Sequence, residues 1–138
     1  MTVSPASGGL TGRSRALAAL RWTLWAGAAY DFFFAVVMVV APDVPANLLS
    51  LPLPGEPFWL YLMAIFLCMI GGCYLLAAYD PVAYKGIIVI AIVGRATGAA
   101  MFAWVALQRP DLSGLWVVAA SDVAFALAHA VFWWPLRR

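Results

Sequence analysis

Charged side chains are scarce in this chain. Of its 138 residues only 10% are charged and 66% are hydrophobic, whereas a soluble domain carries about a quarter charged residues. The interior of so short a chain cannot hide that much apolar surface from water, which excludes a water-soluble globular protein. The composition therefore indicates an integral membrane protein that contacts the lipid bilayer.

Residues that carry chemistry are equally few. The single histidine, His129, excludes a metal site with several histidine ligands. Cys68 and Cys73 stand five residues apart and project on different sides of a helix, so they match apolar fillers better than a CxxC redox motif. No nucleophile–base pair, phosphate-binding loop or basic nucleic-acid patch is visible. These absences argue against an enzyme and against a nucleic-acid partner.

Four apolar runs fill most of the chain. They predict transmembrane helices at about residues 20–41, 58–79, 86–107 and 114–134, each long enough to cross a hydrocarbon core ~30 Å thick at ~1.5 Å per residue. Five prolines in residues 42–57 separate the first two helices, because proline at this density ends a helix. Within this segment, residues 47–53 are apolar enough to form a short turn on the membrane surface.

The basic residues predict the orientation. With the amino terminus in the cytoplasm, only Arg109 falls outside, and the inner side holds Arg13, Arg15, Arg21, Lys85, Arg137 and Arg138, as the positive-inside rule requires. Residues 1–15 are small and polar, which predicts a flexible cytoplasmic tail, and residues 16–138 form a single domain. We predict an all-α bundle of four antiparallel helices in a bacterial inner membrane, with both termini cytoplasmic.

Three ionisable side chains fall near the middle of the predicted helices: Asp31 in the first, Arg95 in the third and Asp122 in the fourth. A guanidinium at the bilayer midplane costs about 2.5–3.5 kcal/mol even on an insertion scale, so it needs a partner. Each of the three shares its helix face with glycine or alanine, and small residues line helix contacts in membranes. The three charges are therefore predicted to point inward and meet.

One arginine does not balance two aspartates in a dry interior, so the cluster needs a proton or a further cation. His129 follows Asp122 by seven residues on the same helix face, ~10 Å nearer the cytoplasm. Two interpretations stay open. The cluster is either a structural ion pair that fixes helix register, or a proton or cation route through Asp31, Arg95, Asp122 and His129.

His129 also has a pigment-binding interpretation. Residues 128–135 read AHAVFWWP and resemble the pigment-binding stretch of bacterial light-harvesting polypeptides, where an Ala-His pair precedes tryptophans and a proline. The resemblance implies that His129 is an axial ligand to a haem or a chlorin, and a hydrogen-bonded interfacial histidine is the alternative. No cofactor is required by the remaining residues, although a haem, a chlorin or a quinone is each compatible with them.

The whole chain resembles the short four-helix bacterial membrane proteins grouped as DoxX-like. The likeness rests on residues 51–54 leading to Phe58-Trp59, on residues 71–78 closing on Asp80-Pro81, and on Gly94-Arg95 and Ser121-Asp122. The named DoxX proteins resemble a small subunit of a terminal quinol oxidase, and Tyr30-Asp31 stands here in place of their glycine-containing motif. The resemblance implies a role beside an electron-transport complex.

Three functions remain after these exclusions. The first is a non-catalytic accessory or structural subunit of a larger respiratory or photosynthetic membrane complex, bound to other subunits or to copies of itself. The second is a small proton or cation transporter or channel that uses the charged cluster. The third is an enzyme acting on a lipid or a quinone, for which one histidine and one buried arginine are a thin catalytic set. The sequence favours the first.

Overall fold

Five α-helices make up most of the protein. The computed structural model describes residues 7–137, with side chains from residue 12 onward. The helices are α1 Ser7–Val40, α2 Asp43–Leu48, α3 Phe58–Tyr79, α4 Lys85–Gln108 and α5 Leu115–Trp133. A 3₁₀ turn follows α4 at Pro110–Leu112 and another follows α5 at Trp134–Leu136, and residues 7–137 contain no β-strand.

Four of these helices, α1, α3, α4 and α5, are long and apolar enough to cross a membrane. The shortest of them, α5, continues as an apolar span of 22 residues through its 3₁₀ turn, which is about 33 Å at 1.5 Å per residue. Large apolar side chains such as Trp22, Phe66 and Ile90 lie exposed on the outside, as lipid contact requires and water contact forbids. The protein is a multi-pass membrane protein.

The first helix begins earlier than the sequence indicated. The sequence placed a flexible tail at residues 1–15 and the first helix from about residue 20, whereas residues 7–15 are helical and continue α1. Residues 1–6 lie outside the described part of the chain. Residues 6–41 contain no proline, and an existing helix extends without a new nucleation step. Arg13 and Ser14 in this extension are exposed and line a groove together with Pro81 and Trp133.

The long helices surround the centre of the protein in the spatial order α3, α1, α5, α4. The α1 helix packs along α3 and also contacts α5, and α4 packs along α5, whereas α3 and α4 touch only sparsely. The arrangement is consistent with a helical bundle whose ring is nearly open between α3 and α4. This opening decides how the interior is reached from the outside.

The apolar core lies at one end of the protein, near the turn that joins α3 to α4. Leu20, Leu24 and Ile88 are fully buried there. The adjoining turn is fixed by polar contacts to the main chain. Arg21 donates to the carbonyl of Tyr79 at 3.2 Å, which satisfies one of the free carbonyls at the end of α3. The carboxylate of Asp80 accepts main-chain N–H bonds at 3.0 and 3.1 Å within the turn.

The proline-rich segment between α1 and α3 is folded over the other end. The sequence indicated a short turn at residues 47–53, whereas α2 occupies residues 43–48 and tolerates Pro45 because the proline lies in its first turn. Ser50 reverses the chain with a φ of 52°. The main chain of Leu49 passes so close to Gly114 that any side chain there would overlap it. The segment roofs a cavity of about 260 Å³ that reaches Tyr30.

Candidate functional site

Arg95 joins all four long helices at one point. Its two terminal nitrogens donate to Asp31 of α1 at 2.5 Å and to Asp122 of α5 at 2.7 Å. Its Nε donates to the hydroxyl of Tyr74 on α3 at 3.0 Å. Because Arg95 itself lies on α4, a single guanidinium ties together α1, α3, α4 and α5. The structure thus brings together the three charges that the sequence placed at a common depth.

The ion pairs are shielded from the surroundings. The side chain of Arg95 is 11% exposed, that of Asp31 is 0% exposed and that of Asp122 is 8% exposed. A buried ion pair is held at a high desolvation cost, and removal of one partner leaves a charge with no solvent around it. The short charge-assisted contacts are the type that offsets such a cost.

Three aromatic rings surround the guanidinium. The Cζ atom of Arg95 lies 5.5 Å from the ring centres of Tyr30 and Tyr74 and 5.2 Å from that of Phe125. A cation within about 6 Å of an aromatic face is attracted to it, and more strongly so when it is desolvated. The rings therefore stabilise the positive charge without adding further negative charge.

Sequence reasoning missed two of these neighbours, Tyr74 and Phe125. For Tyr74 a signal existed. Tyr61 and Tyr79 lie near the ends of α3, where interfacial aromatics are expected, whereas Tyr74 lies well inside the helix and is 2% exposed. A tyrosine inside an apolar span needs a partner for its hydroxyl. Phe125 is one of many apolar aromatics, and nothing in the sequence distinguishes it.

His129 lies next to the cluster but forms no ion pair with it. It is fully buried, and its ring centre lies 5.6 Å from that of Tyr74 and 6.1 Å from that of Phe125. Among the described residues, neither ring nitrogen has a partner with hydrogen-bond geometry, although the main-chain carbonyl of Thr23 approaches the ring. The rings of Tyr74 and Phe125 thus lie between the histidine and Arg95.

The surroundings of His129 do not fit a haem or a chlorin. The rings of Tyr74 and Phe125 pack against the imidazole, and a side chain added at Gly27 would come within 3.0 Å of Tyr74 and 3.8 Å of the imidazole. A planar macrocycle on either nitrogen would have to displace these groups. Residues 12–137 also contain no group of three or more His, Cys, Asp and Glu side chains that could hold a metal ion.

Glycine and alanine make the close helix contacts around the cluster possible. Ala28 and Ala35 on α1, Ala91 and Ala99 on α4, and Ala119 and Ala126 on α5 are all buried. Gly98 faces the cluster directly. A Cβ there would lie 3.0 Å from Oδ2 of Asp122, tighter than ordinary van der Waals contact. The small side chain at position 98 therefore gives the carboxylate its room.

A second polar contact lies beside the first. Ser121 uses its single proton on the carbonyl of Val118 at 2.8 Å, so the hydroxyl of Tyr30 donates to Ser121 at 3.1 Å. This hydrogen bond holds the ring of Tyr30 in place beside the guanidinium of Arg95. Thr97, two residues after Arg95 on α4, lies exposed and takes no part.

The sparse contact between α3 and α4 leaves a groove of about 410 Å³ that leads to the cluster. Apolar side chains from both helices form its walls. Arg95, Asp122 and Tyr74 are the polar residues that line it. The charged centre is therefore sealed by helices on the sides of α1 and α5, and reachable from the direction of α3 and α4.

The cluster carries a charge imbalance that limits its chemistry. Arg95 contributes one positive charge, and Asp31 and Asp122 contribute two negative charges when ionised. Oδ2 of Asp31 is buried and has no hydrogen-bond partner among the described residues. A lone carboxylate oxygen in an apolar interior is costly, and binding of one positive charge removes the imbalance. The site can therefore bind a proton or a cation and can lock helices together.

Comparison of the chain with protein-family models, with curated proteins and with solved structures returned no match.

Proposed function

We propose that this protein is a non-catalytic accessory subunit of a larger respiratory or photosynthetic complex in a bacterial inner membrane. In this proposal its four long helices run antiparallel with both termini in the cytoplasm, and the Arg95 cluster fixes their relative positions. The proposal rests mainly on one surface of α1, which faces away from the other helices.

The surface of α1 is a shallow groove of about 730 Å³ along one helix face, here called the α1 groove. It is lined by Ala18, Arg21, Trp22, Trp25, Ala26 and Ala29. The three alanines are exposed, and Trp22 and Trp25 flank them with 75% and 53% of their surface exposed. Small side chains let a second helix approach closely in a membrane, and large aromatics beside them supply contact area. The α1 groove has the form of a helix-docking surface.

The opposite face of α1 is used inside the protein. Leu20, Leu24, Ala28 and Asp31 are buried, and they alternate along the helix with the residues of the α1 groove. Two faces of α1 therefore have the composition of a helix contact, and within the described part of the chain only one of them packs against other helices. This asymmetry supports a partner in the membrane, either another subunit or a second copy of the protein.

Purification in a mild neutral detergent tests this function. We expect the tagged protein to bring a defined set of membrane proteins with it, identified by mass spectrometry, and the double variant Ala26→Leu/Ala29→Leu to lose them. Ala120→Leu/Ala124→Leu, which enlarges exposed alanines on α5, is the matched control and should retain them. A wild-type protein that elutes as a monomer with lipid alone would contradict the proposal.

The same experiment addresses the DoxX-like relationship. The residue pairs that carry this resemblance, Gly94-Arg95 and Ser121-Asp122, lie together at the cluster, which supports treating them as one functional unit. If the relationship holds, the co-purified proteins should include subunits of a quinol-linked electron-transport enzyme. Partners with no redox role would argue for a different assembly.

A small proton or cation transporter is the second candidate. It is favoured by Oδ2 of Asp31 and by the imidazole of His129, which are buried without hydrogen-bond partners among the described residues. The carboxylate oxygen and one nitrogen of the imidazole would each accept a proton on its way through the protein. Proteoliposomes with a pH gradient should then show a flux that Asp122→Asn and Arg95→Ala abolish and that Asp111→Asn leaves intact. If proteoliposomes with the wild-type protein show no flux above that of empty liposomes, this candidate is eliminated.

A further inference from the structure

The groove between α3 and α4 has the dimensions of a ligand site. Its volume of about 410 Å³ lies within the range of roughly 300–1,000 Å³ that small-molecule pockets occupy. Its walls are apolar, and one end reaches Arg95, Asp122 and Tyr74. A molecule dissolved in the membrane would meet this groove from the lipid side and reach charged groups only at its floor.

The charge at the floor selects the ligand class. The ionised cluster has a net charge of −1, because Arg95 is outnumbered by Asp31 and Asp122. An uncompensated charge in an apolar interior is strongly unfavourable. A ligand with one positive charge completes the cluster, a neutral ligand leaves the imbalance, and an anion increases it.

The hydrogen bonds at the floor point in the same direction. Each of the three nitrogens of Arg95 already donates one hydrogen bond, to Tyr74, Asp122 and Asp31, which uses three of its five N–H groups before a ligand arrives. Asp122 accepts from Arg95 through Oδ1 alone and keeps Oδ2 beside Gly98. Because the ionised cluster is negative overall, this carboxylate oxygen is the group that attracts a positive charge, supported by the ring of Tyr74.

We propose that this groove binds a lipophilic organic monocation, a molecule with an apolar body and one positive charge, with the charge placed against Asp122. The inference goes beyond the accessory role and does not depend on the α1 groove. It requires binding only, and holds whether or not anything is transported.

Binding of the cation is coupled to a proton. When the groove is empty, a proton on one of the two carboxyls removes the imbalance, and the unpartnered oxygen of Asp31 is its site. The groups around this proton are Asp31 from α1, Tyr74 from α3, Arg95 from α4, and Asp122 and His129 from α5. Cation and proton compete, so affinity for the cation should rise as the pH is raised.

Equilibrium binding of radiolabelled tetraphenylphosphonium to the purified full-length protein tests the proposal. We expect one saturable site per chain, and no saturable binding of tetraphenylborate, which has a similar shape and the opposite charge. Affinity should increase by up to about tenfold per pH unit while one proton exchanges for one cation. A flat pH dependence, or equal binding of the two ions, would overturn the proposal.

Two kinds of variant test the charge of the cluster and the volume of the groove separately. Asp122→Asn and Asp31→Asn each make the cluster neutral and should weaken binding by about tenfold or more, although Asp31 does not line the groove. Asp111→Asn, on an exposed loop, is the control. A folding defect in a charge variant would be bypassed by Gly94→Leu, because Gly94 lines the groove with open space around it.

Gly94→Leu should block the groove while every charged residue stays unchanged. We expect it to lower the affinity for the cation about as much as Asp122→Asn does. Gly86→Leu is its matched control, since Gly86 lies on the same helix with nothing near its Cβ position. Retained binding in Gly94→Leu would place the cation elsewhere and overturn the assignment. Saturable binding of a neutral quinone of similar size, with no binding of the cation, would also overturn it.

Discussion

Two arginines in this protein form short ion pairs in opposite surroundings. Arg95 donates to two aspartates at 2.5 and 2.7 Å with its side chain 11% exposed, whereas Arg109 donates to Asp111 at 2.6 and 2.9 Å with its side chain 59% exposed. The hydrogen-bond geometry is almost the same. Water solvates the exposed pair if it separates, but nothing replaces the partners of Arg95 in the bilayer interior. The surroundings of each ion pair, rather than its distances, therefore decide how much it contributes to stability.

The two pairs also differ in what they connect. Arg109 and Asp111 are two residues apart and restrain only the turn between α4 and α5. Arg95 contacts residues on three other helices, so its loss affects the arrangement of the whole bundle. Equivalent changes at the two sites therefore give a direct measure of how much the membrane interior amplifies an ion pair.

The largest effect is expected from Arg95→Ala. This change leaves two carboxylates without their cation, and breaking a buried pair costs of order 3–5 kcal/mol. Unfolding in mixed micelles with increasing denaturing detergent should shift strongly, whereas Arg109→Ala should shift it little. The triple variant Asp31→Leu/Arg95→Met/Asp122→Leu should regain most of the loss, because no unpaired charge remains. A triple variant as unstable as Arg95→Ala would show that the charges are not the cause.

Arg95→Lys is expected to have a smaller effect. The ammonium keeps the charge, but a single nitrogen does not reach Asp31, Asp122 and Tyr74 with the fork geometry of a guanidinium. Loss of one hydrogen bond to a charged group costs about 1.5–3 kcal/mol, so the variant should fall between wild type and Arg95→Ala in the same unfolding measurement. Arg109→Lys is the matched change at the exposed site and should be neutral. Equal stability of Arg95→Lys and wild type would mean that charge alone is sufficient.

Tyr74→Phe should be milder still. It removes the hydroxyl that accepts from Nε of Arg95 and keeps the aromatic ring that faces the guanidinium. The expected loss is at the lower end of the range of about 1.5–3 kcal/mol for one hydrogen bond to a charged group, because the aromatic ring remains. Tyr79→Phe, at a side chain that is 83% exposed, is the control and should be neutral. A loss as large as that of Arg95→Ala would assign Tyr74 a role other than that of a single acceptor.

The sequence predicted an all-helical fold. It also pointed to Asp31, Arg95 and Asp122, because all three lie at about the same depth in their predicted helices and a charge inside an apolar helix needs a partner. Tyr74 escaped prediction because tyrosine is common near membrane interfaces, where it needs no internal partner. The groove between α3 and α4 escaped because all four long helices carry apolar residues on every side. Periodicity in such helices does not show which faces touch.

The start of α1 and the presence of α2 could not be predicted from the local sequence pattern either. Residues 7–15 read as polar and glycine-rich, yet they continue α1, and Arg13 and Ser14 line a groove together with Pro81 and Trp133. Likewise α2 forms in a segment with five prolines, since only the position of Pro45 within it matters and that position is the first turn. In both places the position of proline, rather than the overall composition of the segment, permits the helix.

The smallest effect is expected at the exposed pair itself. The Arg109 guanidinium hydrogen-bonded to Asp111 holds the pKa of that carboxyl below its ordinary value. A lowered folded-state pKa gives a contribution to stability that is present at neutral pH and is lost as the pH falls through that pKa. In Arg109→Ala the pKa of Asp111, followed by NMR of the labelled carboxyl, should rise toward its ordinary value, and the unfolding midpoint should barely move. High salt should shift the wild-type pKa in the same direction, because salt screens exposed charges. A large loss of stability in Arg109→Ala would mean that exposure does not weaken the pair, and the contrast with Arg95 would fail.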